Sequence, residues 1–237
     1  MYNDDRKNRL MNTYAIVSEK KRNQTLVYKL QAKFESINWI LIDNKEKLDL
    51  TFLKKHQVNK LFIPHWSYII PAEIYLKYEC IVFHMTDLPY GRGGSPLQNL
   101  IVRGHIETKI SALRVVKELD AGPIYLKRNL SLTGTAEEIF VRGNRVIELM
   151  ISEIIAKNLE PKKQEGEIVK FKRRKPEDSN ISAVEDLKKT YDYIRMLDAD
   201  GYPHAFLETS KLKYEFTKAN FSTDEEIITA HVRIFKK

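Results

Sequence analysis

Phe83-His84-Met85-Thr86-Asp87-Leu88-Pro89-Tyr90-Gly91-Arg92-Gly93-Gly94-Ser95-Pro96-Leu97-Gln98 is the stretch around which the rest of the chain is organised. The residues just before it, Cys80-Ile81-Val82-Phe83, are short, apolar and partly β-branched, and predict a buried strand. That strand carries His84 to its C-terminal end. The chain then turns through Pro89, Gly91, Gly93 and Gly94, and a helix restarts at Ser95-Pro96. In an open α/β sheet, ligands bind beyond the carboxyl ends of the strands. A histidine at such an end is placed for proton chemistry near neutral pH. A lone histidine is more often satisfied by backbone in a core, so its surroundings decide the reading.

A second segment, Val115-Val116-Lys117-Glu118-Leu119-Asp120-Ala121-Gly122-Pro123-Ile124-Tyr125-Leu126, places Asp120 between apolar runs and just before a Gly-Pro turn. An aspartate there is by itself a turn former. Together, the strand-His-Leu-Pro-Arg-Gly stretch and the later Leu-Asp-x-Gly-Pro-Ile resemble the folate-dependent formyltransferases. Further likeness lies at Ile69-Ile70-Pro71, at Ser95-Pro96-Leu97-Gln98 and at Arg173-Arg174-Lys175-Pro176-Glu177-Asp178, so the resemblance spans roughly residues 60–206. It implies that His84 and Asp120 are catalytic and that N10-formyltetrahydrofolate is the co-substrate. It further implies a folate wall at Trp66, Tyr68, Ile69 and Ile70, with Met85, Leu119 and Ala121 beside it. Trp66 and Tyr68 can stack on a flat heterocycle while main-chain groups read its edge; packing beneath the next helix is the other use for each ring.

The sequence departs from the resembling family at one position. The family carries Asn-x-His at the strand end, and the Asn helps hold the formyl oxygen. Here Val82 stands there, and valine donates no hydrogen bond. Thr86, Asn99 and a backbone N–H are the candidate substitutes. Arg92 is a candidate for pairing a phosphate or carboxylate of the substrate, and an arginine bonded only to nearby carbonyls is the alternative. Arg114 occupies a place where many family members have His, and would add positive charge near the substrate if it faced inward. Thr86 completes the candidate substrate contacts.

The chain has 237 residues, 43% of them hydrophobic, with a formal charge of +8. This is enough for one large domain with a sizeable core. We expect a catalytic domain over residues 1–206 and a small β-hairpin element over 207–237. No apolar run is long enough for a membrane span, and the start is too polar for a signal peptide. Cys80 is the single cysteine, so no intrachain disulfide forms and a reducing cytoplasm is expected. Its place on an apolar strand suits packing better than nucleophilic chemistry. No metal-ligand cluster is apparent. The basic balance favours anionic partners such as folate polyglutamate, a nucleotide sugar or nucleic acid.

In chain order, residues 1–12 predict a polar lead-in. Strands are expected at Tyr14–Val17, Ile37–Asp43, Lys60–Pro64, Cys80–Phe83 and Thr108–Val116, with shorter runs at Pro123–Leu126 and Leu130–Leu132. Helices are expected at Asn23–Phe34, Leu48–His56, 72–78, Ser95–Arg103, 135–156 and Ser182–Met196. Asn23 or Thr25 caps the first, Leu26, Tyr28, Leu30 and Phe34 form its apolar face, and Pro71 sits at the first position of the third. Thr135-Ala136-Glu137-Glu138 has the pattern of a capping box. Residues 159–170 read as a linker, and Lys211–Lys218 with Ile227–Phe235 as a hairpin whose edges can pair with another chain. The alternation predicts a doubly wound, Rossmann-like α/β sheet. No glycine-rich loop follows the first strand, which argues against a dinucleotide there.

The resemblance implies formyl transfer to an amine without a covalent enzyme intermediate. Methionyl-tRNA formyltransferases add a tRNA-gripping β-barrel, whereas the branch without it formylates nucleotide-linked amino sugars. A nucleotide-linked amino-deoxy sugar is therefore the expected acceptor. Methionyl-tRNA, hydrolysis of the folate and a non-catalytic folate-binding relative are the alternatives, and a homodimer is a possible assembly.

Overall fold

The computed structural model describes residues 12–237, so the predicted lead-in falls, apart from Asn12, outside the described residues. The chain begins with β1 (Asn12–Val17), α1 (Gln24–Lys33), β2 (Ile37–Ile42), α2 (Leu50–Lys55), β3 (Val58–Pro64), α3 (Ala72–Tyr75) and β4 (Glu79–His84). It continues through β5 (Tyr90–Gly93), α4 (Pro96–Val102), β6 (Glu107–Arg114), β7 (Ile124–Ser131), α5 (Ala136–Ala156) and β8 (Val169–Phe171). It ends with α6 (Leu187–Arg195), β9 (Ala205–Glu208), β10 (Leu212–Ser222) and β11 (Ile227–Lys236). The central sheet has the order β2-β1-β3-β4-β6-β7, with β1–β2, β1–β3 and β3–β4 parallel. The two short strands β5 and β8 pair apart from it, and β9, β10 and β11 form a C-terminal antiparallel sheet. The fold is the Rossmann-like α/β architecture with a C-terminal β element.

Two compact units divide these elements. The first takes the described residues up to His84 together with Ala112–Leu126 and Ile147–Gln164. Its core is made by near-continuous apolar strands, as a parallel sheet covered on both faces requires. Ala15, Val17, Ile42, Leu53, Leu61, Ile63, Ile74 and Cys80 are buried together. Leu26 and Leu30, one helical turn apart, bury one stripe of α1, but Tyr28 of the expected apolar face is exposed. Asn23 stands at the N-cap of α1 without capping it: its amide donates to Ser18 Oγ at 2.7 Å instead. Asp49 does cap α2, accepting from the Thr51 and Phe52 amides. Pro71 is the N-cap of α3, not its first helical residue, and α3 is four residues long.

The second unit comprises Met85–Ser111, Lys127–Val146 and Glu165–Lys237. Its α5 opens on the expected capping box, with the Thr135 amide donating to Glu138 Oε2 at 2.8 Å and the Glu138 amide returning to Thr135 Oγ1 at 3.3 Å. The last helix is shorter than expected and starts at Leu187, because Asp186 caps it by accepting from the Lys189 amide. Buried Arg195 ties this helix down, pairing with Asp192 at 2.6 Å and donating to the Leu132 carbonyl at 2.6 Å. No described helix is long and apolar enough to cross a membrane.

Candidate active site

β4 ends on His84, and residue 120 lies in the turn between β6 and β7. The two side chains meet: His84 Nδ1 lies 3.6 Å from Asp120 Oδ2. Their side chains are only 9% and 11% exposed. The separation is slightly beyond a formed hydrogen bond. Residues distant in sequence are thus joined in one unit, at the carboxyl end of a central parallel strand.

The turn that presents Asp120 is held by three features. Asp120 adopts φ 53, the left-handed region that aspartate tolerates better than most residues. The Gln164 side-chain amide donates at 2.8 Å to the Asp120 carbonyl and at 2.8 Å to the Gly122 carbonyl. At Gly122 an added Cβ would sit 1.7 Å from the Arg114 carbonyl oxygen, so no larger residue fits. The Arg114 amide in turn donates to the Pro123 carbonyl at 2.9 Å. The aspartate is therefore a turn residue and a histidine partner at once. Gln164 lies in the segment read as a linker and was missed. The turn's carbonyls demand a donor, but nothing in the local pattern says which residue supplies it. Lys162, bridged to Ile124 on both sides, brings Gln164 there.

The expected folate wall follows β3, whose Pro64 is in register with Phe83 of β4. Trp66 and Tyr68 form an edge-on pair with centroids 5.2 Å apart. Tyr68 is 44% exposed, with Lys45 Nζ 5.2 Å from its ring centroid, and a hydrogen bond with Glu19 raises its hydroxyl pKa. Ile69 is 75% exposed, whereas the Ile70 side chain belongs to the core and only its backbone can face a ligand. Buried polar atoms without partners are rare, yet two occur here among the described residues: Trp66 Nε1, a donor, and Asn23 Oδ1, an acceptor. Asn23 also donates to the Pro64 carbonyl at 3.4 Å, which puts it at the same strand end. A pterin ring edge carries both donors and acceptors, so this donor set fits a folate.

Several of the other expected contact residues are buried or committed to neighbouring groups. Thr86 is fully buried, its hydroxyl turned to the Gly91 carbonyl at 3.4 Å and its own carbonyl accepting from Ser111 Oγ at 2.7 Å. These bonds shape the turn. Met85 is buried, with its methyl directed toward Gly143 of α5. Arg92 is buried within β5, opposite Lys170 of β8. Gly93 is required by the Phe171 carbonyl, 2.4 Å from where its Cβ would be. Asn99 is also committed, donating to the carbonyls of Gly94, Ser95 and Lys172 and accepting from Arg103. Neither Thr86 nor Asn99 is available to replace the family asparagine, and Val82 packs on the core. Arg114 is exposed, and its charge acts on Cys80 and Tyr125. The Arg114 backbone abuts Gly122, two residues from Asp120. Leu119 is exposed and Ala121 half-buried, flanking Asp120. Among the described residues, no group of three or more His, Cys, Asp or Glu could hold a metal ion.

The structure thus sets a histidine–carboxylate pair at the carboxyl end of a parallel strand, where open α/β sheets bind ligands, an arrangement shared by many classes of protein. Comparison with known proteins narrows it. The family profile described as methionyl-tRNA formyltransferase, C-terminal domain, matches residues 176–235. A solved structure of methionyl-tRNA formyltransferase from Clostridium thermocellum is 47% identical, with a TM-score of 0.92, over 95% of this chain and 100% of that one. Methionyl-tRNA formyltransferase of Thermotoga maritima is 29% identical over 195 residues, which are 78% of this chain and 61% of that protein. A sugar N-formyltransferase from a Shewanella species shares the fold at 16% identity and a TM-score of 0.66, over 93% and 96% of the two chains. The chain belongs to the formyltransferase family. It spans between 48% and 61% of the length of three curated methionyl-tRNA formyltransferases that it matches.

Proposed function

We propose that this protein transfers the formyl group of N10-formyltetrahydrofolate to a primary amine, with His84 and Asp120 as the acid–base pair. The observation that carries this reading is the 3.6 Å approach of His84 Nδ1 to Asp120 Oδ2 at the carboxyl end of β4. When bound, the folate supplies the formyl carbon as an electrophile. The chain's own residues do the proton work. Asp120 orients the imidazole. The His84 ring can donate to an oxygen bearing developing charge, a contribution of about 2.7–4 kcal/mol for such a donor. In its neutral form the same ring can take a proton from an attacking amine. Trp66, Tyr68 and the backbone of Ile69 and Ile70 hold the pterin, with Trp66 Nε1 and Asn23 Oδ1 as paired edge readers. Leu119 and Ala121 flank it.

For the acceptor, the 47% identical relative and the C-terminal domain match both favour methionyl-tRNA. The +8 charge suits a polyanion. The nucleotide-linked amino sugar preferred from the sequence becomes the second reading, since the sugar enzymes share the fold at low identity. The deciding experiment supplies N10-formyltetrahydrofolate with methionyl-tRNA, with nucleotide-linked amino sugars, or with no acceptor, and detects formyl gain by mass. Formyl-methionyl-tRNA supports the first acceptor and a formylated sugar the second. Formate released without an acceptor identifies a hydrolase, and folate binding without turnover a non-catalytic relative.

A further inference from the structure

The C-terminal sheet has the order β11-β10-β9, so β11 is an edge strand. Among the described residues, no strand pairs with its outer side. Edge strands are usually blunted by proline, inward charges or bulges. β11 has no proline or glycine, runs ten residues, and is charged only at Arg233 and its last residue, Lys236. It is also openly apolar: Ile227 is 50% exposed, Val232 46%, Ile234 59% and Phe235 39%. Val232 and Ile234 share one face and continue a row begun by Phe216 and Tyr214, their register partners on β10. The charges flanking this strand are segregated, with Asp224-Glu225-Glu226 before it and Arg233, Lys236 and Lys237 at its end.

We propose that β11 pairs antiparallel with β11 of a second copy of this chain, joining two three-stranded sheets into one. A two-fold axis normal to the sheet requires one residue to face itself, and His231 is the residue that aligns the pattern best. Ile228 then opposes the partner's Ile234, Ala230 the partner's Val232, and Ile227 the partner's Phe235. Glu226 meets the partner's Lys236, and by symmetry the contact occurs twice. Every exposed apolar residue of the strand gains an apolar neighbour, and each acidic turn meets a basic strand end. Such cross-strand pairs are the elements that stabilise a sheet. A peptide of unrelated sequence would meet neither the charge segregation nor the apolar row.

Sedimentation velocity on the full chain tests this, with circular dichroism to confirm folding. Wild type is expected at the mass of two chains. Ile234→Lys, the pair Glu225→Lys with Glu226→Lys, and the pair Arg233→Glu with Lys236→Glu should each sediment as one folded chain. Mixing the two charge-reversed proteins should restore the two-chain species, because each then meets the opposite sign at both ends. A monomeric wild type overturns the proposal, as do dimers that survive the reversals or a mixture that stays monomeric. None of these residues touches the His84–Asp120 pair, so the outcome is independent of the formyl-transfer reading.

Discussion

The two ends of β4 carry two acidic groups that are handled in opposite ways. At the start, Glu79 Oε1 accepts from the Tyr125 hydroxyl at 2.7 Å and meets Lys60 Nζ at 3.1 Å. That network is closed, and burial with the Glu79 bond raises the Tyr125 pKa. At the other end, Asp120 approaches His84 at 3.6 Å, a distance that leaves room to tighten. Short, fully used hydrogen bonds stiffen a fold, whereas a loose histidine–carboxylate pair can exchange a proton with something that arrives. On the proposed reading, the contrast separates the structural end of the strand from the chemical one.

Breaking the chemical end should have the largest consequence. His84→Ala and Asp120→Asn should each reduce formyl transfer by about 10²–10⁴-fold, with thermal unfolding and folate binding close to wild type. Gln164→Leu removes both bonds to the turn and should lower kcat by about tenfold to a hundredfold, as small misplacements do. KM for folate should move much less, which distinguishes misplaced chemistry from lost binding. Gly122→Ala forces a Cβ onto the Arg114 carbonyl and should cost about 1–3 kcal/mol in denaturant unfolding, with activity falling alongside.

The structural end should respond mildly. Tyr125→Phe leaves Glu79 with Lys60 and should destabilise by about 0.5–1.5 kcal/mol without changing kcat. Cys80, buried beside this network, has its thiol pushed by burial from 9.0 up to about 12. A raised folded-state pKa means its contribution to stability is complete below 9.0 and is lost as pH rises toward about 12. Near neutral pH the folded protein should resist thiol alkylation, and the unfolded chain should react; rapid labelling of the native protein would contradict this.

Much of this contrast was legible in the sequence. The β-branched runs ending at Phe83 and Val17 specify strands buried on both faces, and the Thr135 box specifies where α5 starts. His84 and Asp120 each fall where an apolar run meets a turn, but it is the resemblance to the formyltransferases that singles them out. What escaped depended on distant partners. Tyr28 has helical spacing but no neighbouring element to cover it. Asn23 looks like a cap until Ser18 claims its amide. Thr86, Met85 and Arg92 lie beside the histidine in sequence, yet their side chains are buried. Gln164 sits in a stretch without periodicity, and only the Lys162 bridge to Ile124 reveals its task.

The most direct test of the central claim is single-turnover formyl transfer by Asp120→Asn, run beside a measurement of folate affinity on the same protein. The account predicts intact folate binding with the transfer step slowed by at least about a hundredfold. Transfer at the wild-type rate with bound folate would show that the carboxylate beside His84 plays no part in the chemistry.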